Sequence, residues 1–301
     1  MRLPFGLLLA SVAAGLLSAA AALLAMPAAS MQFDLVMLLA LLGYVLLHRG
    51  ARRVRWTVAA GVGLLAVVAA MRLLWHQEQV IDVGWMAYEP APETSIVGRW
   101  RASIDRQRLA ALGMALGVVC LAAGVLALPS RGRRRGVATA VLALLLLAWF
   151  VLDSTQEFVD HTLPELLGTV WPALLAALVG MGALALSGGR SDRRWLLPAG
   201  LFLLSLTAAD TYSNLAGVWS GWWKMTNPDQ DPFLVVGTVV GASGEASPQV
   251  SSAVETAIAL AGAGLAAVGA LRSSSEATDR TDLPLTGDES PDNADDDDFP
   301  A

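Results

Sequence analysis

Eight long apolar runs, joined by polar connections, make up most of this chain. A helix needs about 20 apolar residues to cross a hydrocarbon core about 30 Å thick, and most of the runs approach that length. Lipid cannot satisfy backbone hydrogen-bonding groups, so runs rich in Ala, Leu, Val and Gly without strict alternation form helices rather than barrel strands. The sequence therefore predicts an all-α, polytopic transmembrane helix bundle of about eight spans. Spans 1 to 8 are predicted at residues 5–26, 33–48, 56–75, 109–128, 137–153, 165–187, 195–209 and 252–271.

The composition agrees with a protein whose main surroundings are a lipid bilayer. Hydrophobic residues make up 55% of the chain and charged residues 15%, a balance that is unusual for a water-soluble domain of this length. Nearly all the basic residues are arginines, and alanine is abundant, which is typical of proteins from GC-rich bacterial genomes. We therefore expect a multi-pass protein of a bacterial plasma membrane.

The arginines of the connections predict the orientation. Three short connections, between spans 2 and 3, 4 and 5, and 6 and 7, are rich in arginine, and Arg272 follows span 8. Short arginine-rich connections remain in the cytoplasm, so both termini are predicted to be cytoplasmic. The arginines of these connections are Arg49, Arg52, Arg53, Arg55, Arg131, Arg133, Arg134, Arg135, Arg190, Arg193 and Arg194.

The first run has two interpretations. Arg2 precedes it and small residues follow it, as in a signal peptide. Its apolar stretch is longer than the roughly 7 to 15 residues of a signal peptide's apolar region, which favours a retained helix. Cleavage would leave seven spans with unchanged sidedness.

A transmembrane domain is predicted at residues 1–272, and a disordered acidic cytoplasmic tail at 273–301. The tail holds ten acidic residues against Arg280, a net charge of −9, so the rest of the chain carries +3 of the total of −6. A segment so rich in Asp, Ser, Pro and Thr buries too little apolar surface to fold alone. A solubilising role is favoured over a binding role.

Spans 2 and 3 recur as spans 6 and 7. A shift of 139 residues aligns residues 39–70 with 178–209 without a gap, and twelve of the thirty-two positions are identical, including an arginine–tryptophan pair at the same predicted depth. This predicts two parallel four-helix repeats, at about 5–128 and 137–272, related by an axis along the membrane normal. Parallel repeats occur in transporters with sites at the repeat interface. A duplicated bundle without transport is the open alternative.

Ionisable residues collect at the predicted outer ends of the spans. Asp34 opens span 2, Arg72 closes span 3, Asp153 ends span 5 with Glu157 one turn later, and Asp210 ends span 7. Such groups often face a bundle interior or a water-filled cavity, although each taken singly also fits a hydrated helix end. We expect a ligand-binding site near Arg72, Asp153, Glu157 and Asp210. Since Arg72 and Asp210 fall at neighbouring positions of the repeat, they are predicted to form an ion pair.

Asp153, Glu157 and His161 are weak candidates for metal ligands. Their i, i+4, i+8 spacing places them on one helical face, but zinc sites usually contain more histidine or cysteine. Cys120, the only cysteine of the sequence, lies within span 4. An exposed helical extension with stabilising i, i+4 pairs is the favoured interpretation. We therefore predict no cofactor and favour a non-enzymatic role.

Residues 84–90, GWMAYEP, resemble the Gly-Trp-x-x-Tyr-x-Pro stretch on the outer side of heme-copper oxidase subunit I. In that family histidines within the helices ligate heme and copper. Here His48, His76 and His161 lie at the ends of the runs or between them. The resemblance therefore implies no heme or copper chemistry for this chain.

Three functions remain open, in order of preference. The first is a permease-like or ligand-sensing protein with an extracytoplasmic site. The second is a non-catalytic subunit or scaffold of a cell-envelope complex, which would bind an envelope protein through the long outer loops 76–108 and 210–251. The third is a metal-dependent membrane enzyme. The sequence carries no familiar nucleotide-binding or hydrolase motif, and it lacks the soluble basic domain that nucleic-acid binding requires.

Overall fold

Eight helices form the bundle. The computed structural model describes residues 2–24, 26–48, 50–80, 96–128, 133–158, 163–188, 195–226 and 249–281, and these residues contain no strand. The prediction of an all-α fold is confirmed. The helices are α1 Arg2–Leu23, α2 Pro27–Leu47, α3 Arg52–Val80, α4 Ile96–Leu126, α5 Arg133–Phe158, α6 Leu163–Ser187, α7 Leu196–Thr226 and α8 Gln249–Thr281.

Six of these helices are long and apolar enough to cross a membrane, which makes the chain a multi-pass membrane protein. Helix α5 contributes a shorter apolar segment, Gly136–Leu152. Helix α7 is outside the six because polar side chains interrupt its apolar sequence after Ala209. The count of eight spans therefore remains a prediction. The six segments are Leu3–Leu23, Pro27–Leu47, Arg52–Trp75, Arg101–Leu126, Leu166–Ser187 and Ala257–Ser274.

Several helices extend beyond the predicted apolar runs. Helix α7 continues to Thr226, α4 begins at Ile96, and α8 reaches Thr281, inside the segment predicted to be a tail. Hydropathy marks only the part of a helix that lies in hydrocarbon, whereas backbone hydrogen bonding continues past it. Parts of both predicted outer loops are consequently helical. Residues 81–95, 227–248 and 282–301 lie outside the described part of the chain.

Helices α1 and α5 lie at the periphery. Helix α1 packs against α2 and α8, and α5 packs against α6 and α7. Each leaves large apolar side chains exposed, with Leu16 of α1 at 69% and Leu144 of α5 at 64%. Exposed leucines on a helix of this length are suited to contact with lipid. The remaining six helices enclose the interior of the bundle.

The six inner helices pack in a closed order, α2–α3–α4–α6–α7–α8, with α8 returning to α2. The last helix of each predicted half thus packs against the second helix of the other half, α4 on α6 and α8 on α2. Contacts of α4 with α7, and of α3 with α8, cross the centre. The centre of the bundle is therefore the boundary between the predicted halves.

Two close helix crossings use small residues. In α3 and α4, a Cβ on Gly61 would lie 2.9 Å from the carbonyl oxygen of Gly117. In α7 and α8, a Cβ on Gly200 would lie 2.8 Å from the carbonyl oxygen of Gly262 and would also clash with Ala266. Small residues allow backbones to approach closely where no hydrophobic driving force exists between helices. Both crossings therefore depend on the missing side chain.

Candidate functional site

A cavity of about 540 Å³ lies among α2, α3, α4, α7 and α8. Its volume falls within the range of small-molecule sites, roughly 300 to 1,000 Å³. Helices α2, α3 and α4 belong to the first predicted half of the chain, and α7 and α8 belong to the second. The cavity therefore lies between the two predicted halves.

The cavity has a polar end and an apolar end. Along α3, the lining changes from Leu65 to Arg72 and Trp75, and along α7 it changes from Leu204 to Asp210 and Asn214. In both helices the polar residues lie toward the C-terminal end. The polar end therefore lies on the side of the bundle where α3 and α7 end. The remaining polar lining consists of Asp34, Ser103, Arg106, Gln107, Thr207 and Thr211, and the apolar lining includes Leu38, Met114, Leu260 and Ala263.

Asp34 is a carboxylate inside the bundle. It lies two turns after the start of α2, lines the cavity and is only 6% exposed. Ser18 of α1 donates a hydrogen bond from its hydroxyl to Asp34 Oδ1, and the Ser18 and Ser30 hydroxyl oxygens are 3.1 Å apart. The Arg72 guanidinium interacts electrostatically with the Asp34 carboxylate. A buried charge needs such partners because its desolvation is costly.

Asp210 is held by its own helix. Asn214, one turn later in α7, donates a hydrogen bond from Nδ2 to Asp210 Oδ2 at 3.0 Å. The hydroxyls of Thr207 and Thr211 donate to the carbonyls of Leu203 and Thr207, at 2.9 and 2.8 Å. These i, i+4 bonds satisfy the hydroxyls within the helix. Among the side chains that α7 contributes to the cavity, Asp210 is the charged one.

Two of the four residues predicted to bind ligand, Arg72 and Asp210, line this cavity. Their direct ion pair remains a prediction. Asp153 and Glu157 lie in the last two turns of α5, where their side chains are outside the described part of the chain. No described residue of α5 lines the cavity.

The metal hypothesis stays untested. His161 lies outside the described residues, as do the side chains of Asp153 and Glu157. Among the side chains that the structure does describe, no group of three His, Cys, Asp or Glu is placed to hold a metal ion.

Asp34 and Arg106 are members of this site that sequence reasoning missed. The apolar run places Asp34 at the hydrated start of span 2, but the start of α2 at Pro27 places it two turns inside the helix. The sequence pattern that could have indicated this position is the pair Ser30 and Asp34, which lie one turn apart at the edge of an apolar run. Hydropathy places the start of span 4 at residue 109, which leaves Arg106 in an outer loop.

His48 belongs to the opposite end of α2. It follows Asp34 by fourteen residues, about 21 Å along a helix. Its ring centroid lies 5.3 Å from that of Tyr44. Burial lowers the pKa of His48, and the positive charge of Arg272 lowers it further. His48 therefore packs in its neutral form, away from the cavity.

Comparisons with protein-family models, with curated proteins and with solved structures find no match for this chain.

Proposed function

We propose that this protein is a permease-like or ligand-sensing membrane protein that binds a small molecule between its two halves. The observation that carries the proposal is the cavity, because it brings Arg72 of one half and Asp210 of the other to one space. Sites of secondary transporters lie at such repeat interfaces. Charged groups with an apolar floor suit a ligand that has a polar or charged group and an apolar part.

The helix crossings support the proposed duplication. Gly61 and Gly200 are equivalent under the shift of 139 residues, and each meets the backbone of the following helix of its own half. The contacted glycines, Gly117 and Gly262, lie 145 residues apart. Two crossings of the same kind, at matched positions of α3 and α7, are what a duplicated helix pair would produce.

The polar residues of the cavity do not follow the duplication. The position equivalent to Asp34 is Ala173, and the position equivalent to Arg72 is Thr211. Charged side chains within a membrane bundle are costly and mark functional sites more often than packing contacts. This asymmetry supports a site with a specific ligand over a pair of identical packing interfaces.

We propose that the polar end of the cavity faces the extracytoplasmic side and that both termini are cytoplasmic, on the distribution of arginines. In a Cys120→Ser background, an impermeant thiol reagent applied to intact cells should label cysteines at Glu93 and Gln230. Cysteines at Arg52 and Arg133 should be labelled only after the cells are permeabilised. If the cysteine at position 133 is labelled from outside, the proposed topology is inverted and the polar end of the cavity faces the cytoplasm.

Filling the cavity should abolish ligand binding without unfolding the protein. Ala259→Trp adds a large side chain to the cavity wall contributed by α8. Protein in nanodiscs is tested by thermal shift against charged and zwitterionic metabolites. We expect any compound that raises the melting temperature of the wild type to lose that effect in this variant.

The matched control is Ala261→Trp, two residues along the same helix at an exposed position. It adds the same side chain to the lipid-facing surface and should keep the shift. A compound that stabilises both variants equally binds elsewhere. If no compound distinguishes the variants, the small-molecule proposal loses its support, and the envelope-scaffold alternative becomes the better one.

A further inference from the structure

We propose that Asp34 is a proton-binding residue of this cavity, and that it takes up a proton when Arg72 engages the ligand. The proposal rests on the proposed function, since it assigns a coupling role within the same site. It also specifies the ligand, which would carry an anionic group for the guanidinium of Arg72. The proton is taken up from the aqueous solution and binds a carboxylate oxygen of Asp34, whose negative charge it neutralises.

The surroundings of Asp34 can accommodate both of its forms. When ionised, it accepts the Ser18 hydrogen bond and interacts with the charge of Arg72. When Asp34 is protonated, its carboxyl O–H can donate to the Ser18 oxygen. The Ser18 hydroxyl can then turn toward the Ser30 oxygen, which lies 3.1 Å from its own. Hydroxyl groups serve as donors or acceptors, so the serine pair can follow the change. No movement of α1 or α2 is needed.

The charges that face Asp34 come from three helices. Helix α3 contributes Arg72, α4 contributes Arg106, and α7 contributes Asp210 to the same cavity. Arg72 is the cation that acts on Asp34 electrostatically. Occupation of Arg72 by an anion therefore removes the cationic stabilisation of the ionised carboxylate and leaves only the hydrogen bond from Ser18. Among their described side chains, helices α1 and α8 contribute Ser18 and the small or apolar residues Ala259, Leu260 and Ala263.

This arrangement couples two binding events. An anion on Arg72 neutralises the guanidinium, and the buried carboxylate of Asp34 then lacks a counter-charge. A proton on Asp34 neutralises its carboxylate and allows Arg72 to bind the anion. Each event favours the other, and the coupling between them is reciprocal. A permease built this way would carry the anion together with a proton.

The test uses dicyclohexylcarbodiimide, which reacts with protonated carboxyl groups in apolar surroundings. Purified full-length protein in nanodiscs is labelled across a pH series, and the adduct is located by mass spectrometry. We expect an adduct on Asp34 that increases as the pH falls and disappears in Asp34→Asn. Arg72→Gln, which mimics engaged Arg72, should increase labelling several-fold at neutral pH. Arg106→Gln, which removes another cavity cation, should change it little.

Infrared spectroscopy gives a second readout that needs no labelling of the protein. At neutral pH, where solvated carboxyl groups are ionised, Arg72→Gln should show the carbonyl band of a protonated carboxylic acid; adding Asp34→Asn should remove this band, whereas adding Asp210→Asn should not. Equal labelling of the wild type and Arg72→Gln, or the lack of both signals, would overturn the proposal. Protection of Asp34 by sodium ions but not by potassium would overturn it as well, and would assign the Ser18, Ser30 and Asp34 oxygens to a sodium site. Neither readout depends on the ligand, so this proposal can fail while the binding cavity stands.

Discussion

Gly200→Ala should destabilise the protein by about 3 kcal/mol, the upper end of the usual cost of overpacking. The added methyl group would lie 2.8 Å from the carbonyl oxygen of Gly262 and would overlap the backbone of Ala266. Backbone atoms of a helix cannot rotate away as a side-chain end can, so α7 and α8 must separate. The free energy of unfolding is measured by reversible SDS denaturation in mild detergent, followed by tryptophan fluorescence.

Two matched glycines make this test specific. Gly182→Ala, in α6, has no atom within 4 Å of the new Cβ, so it should leave stability unchanged or raise it slightly. In Gly61→Ala, the added methyl group would contact the flexible side chain of Leu121 as well as the backbone of Gly117. We expect it to cost about 1 to 2 kcal/mol. Equal effects of Gly200→Ala and Gly182→Ala would show that the α7–α8 crossing tolerates a side chain.

The Gly200 crossing also determines the shape of the cavity. Helices α7 and α8 contribute Leu204 and Ala263 to its lining, close to Gly200 and Gly262 in sequence. A separation of these helices therefore moves two of the cavity walls. We expect Gly200→Ala to weaken ligand-induced thermal shifts more than its loss of stability would explain.

The sequence predicts the membrane bundle well because hydropathy and helix length depend on local composition. It predicts the ends of the helices poorly. The apolar run places Asp210 at the end of span 7, yet α7 continues for sixteen residues to Thr226. Tertiary packing lets α7 keep polar residues at this depth, because they face a cavity and satisfy one another, as Asn214 and Asp210 do. A hydropathy average falls at these polar residues, so it ends the predicted span before the helix ends.

Two residues of the site, Arg72 and Asp210, could be predicted from the sequence, and Asp34 could not. The predicted duplication points to Arg72 and Asp210, because a repeat would place equivalent helices on either side of one axis. The significance of Asp34 escapes a reading of the sequence because it depends on Ser18, which is sixteen residues earlier in another helix. No periodicity within one helix reveals such a partner. The roles of Asp153, Glu157 and His161 remain predictions.

Arg72→Ala should destabilise the protein by about 2 to 3 kcal/mol, mainly through its effect on Asp34. Removing one partner of a buried pair typically costs about 3 to 5 kcal/mol, because the other charge stays buried without compensation. We expect a smaller value here because the Arg72 side chain is itself exposed and Asp34 keeps the hydrogen bond from Ser18. The double variant Arg72→Ala with Asp34→Asn should recover most of the loss, since the asparagine amide carries no charge.

A second cycle measures whether Arg72 also pairs with Asp210. If the two charges meet across the axis between the halves, Arg72→Ala with Asp210→Ala should be less destabilising than the sum of the single changes. Asn214→Ala, which removes the hydrogen bond to Asp210 without changing charge, serves as the control for local effects in α7. Additive effects would mean that Arg72 and Asp210 line the cavity without touching.

The two cycles together identify the carboxylate on which Arg72 depends. If Arg72 is strongly coupled to Asp34 and weakly coupled to Asp210, Asp34 of α2 holds the Arg72 guanidinium. Asp210 is then available to the ligand. Coupling to both would place Arg72 between two carboxylates, where an incoming anion must displace one of them. Since Asp34 is nearly enclosed, it would be the carboxylate that then requires a proton. Additive single effects in both cycles would contradict the electrostatic basis of the site, while the helix crossings that shape the cavity would remain.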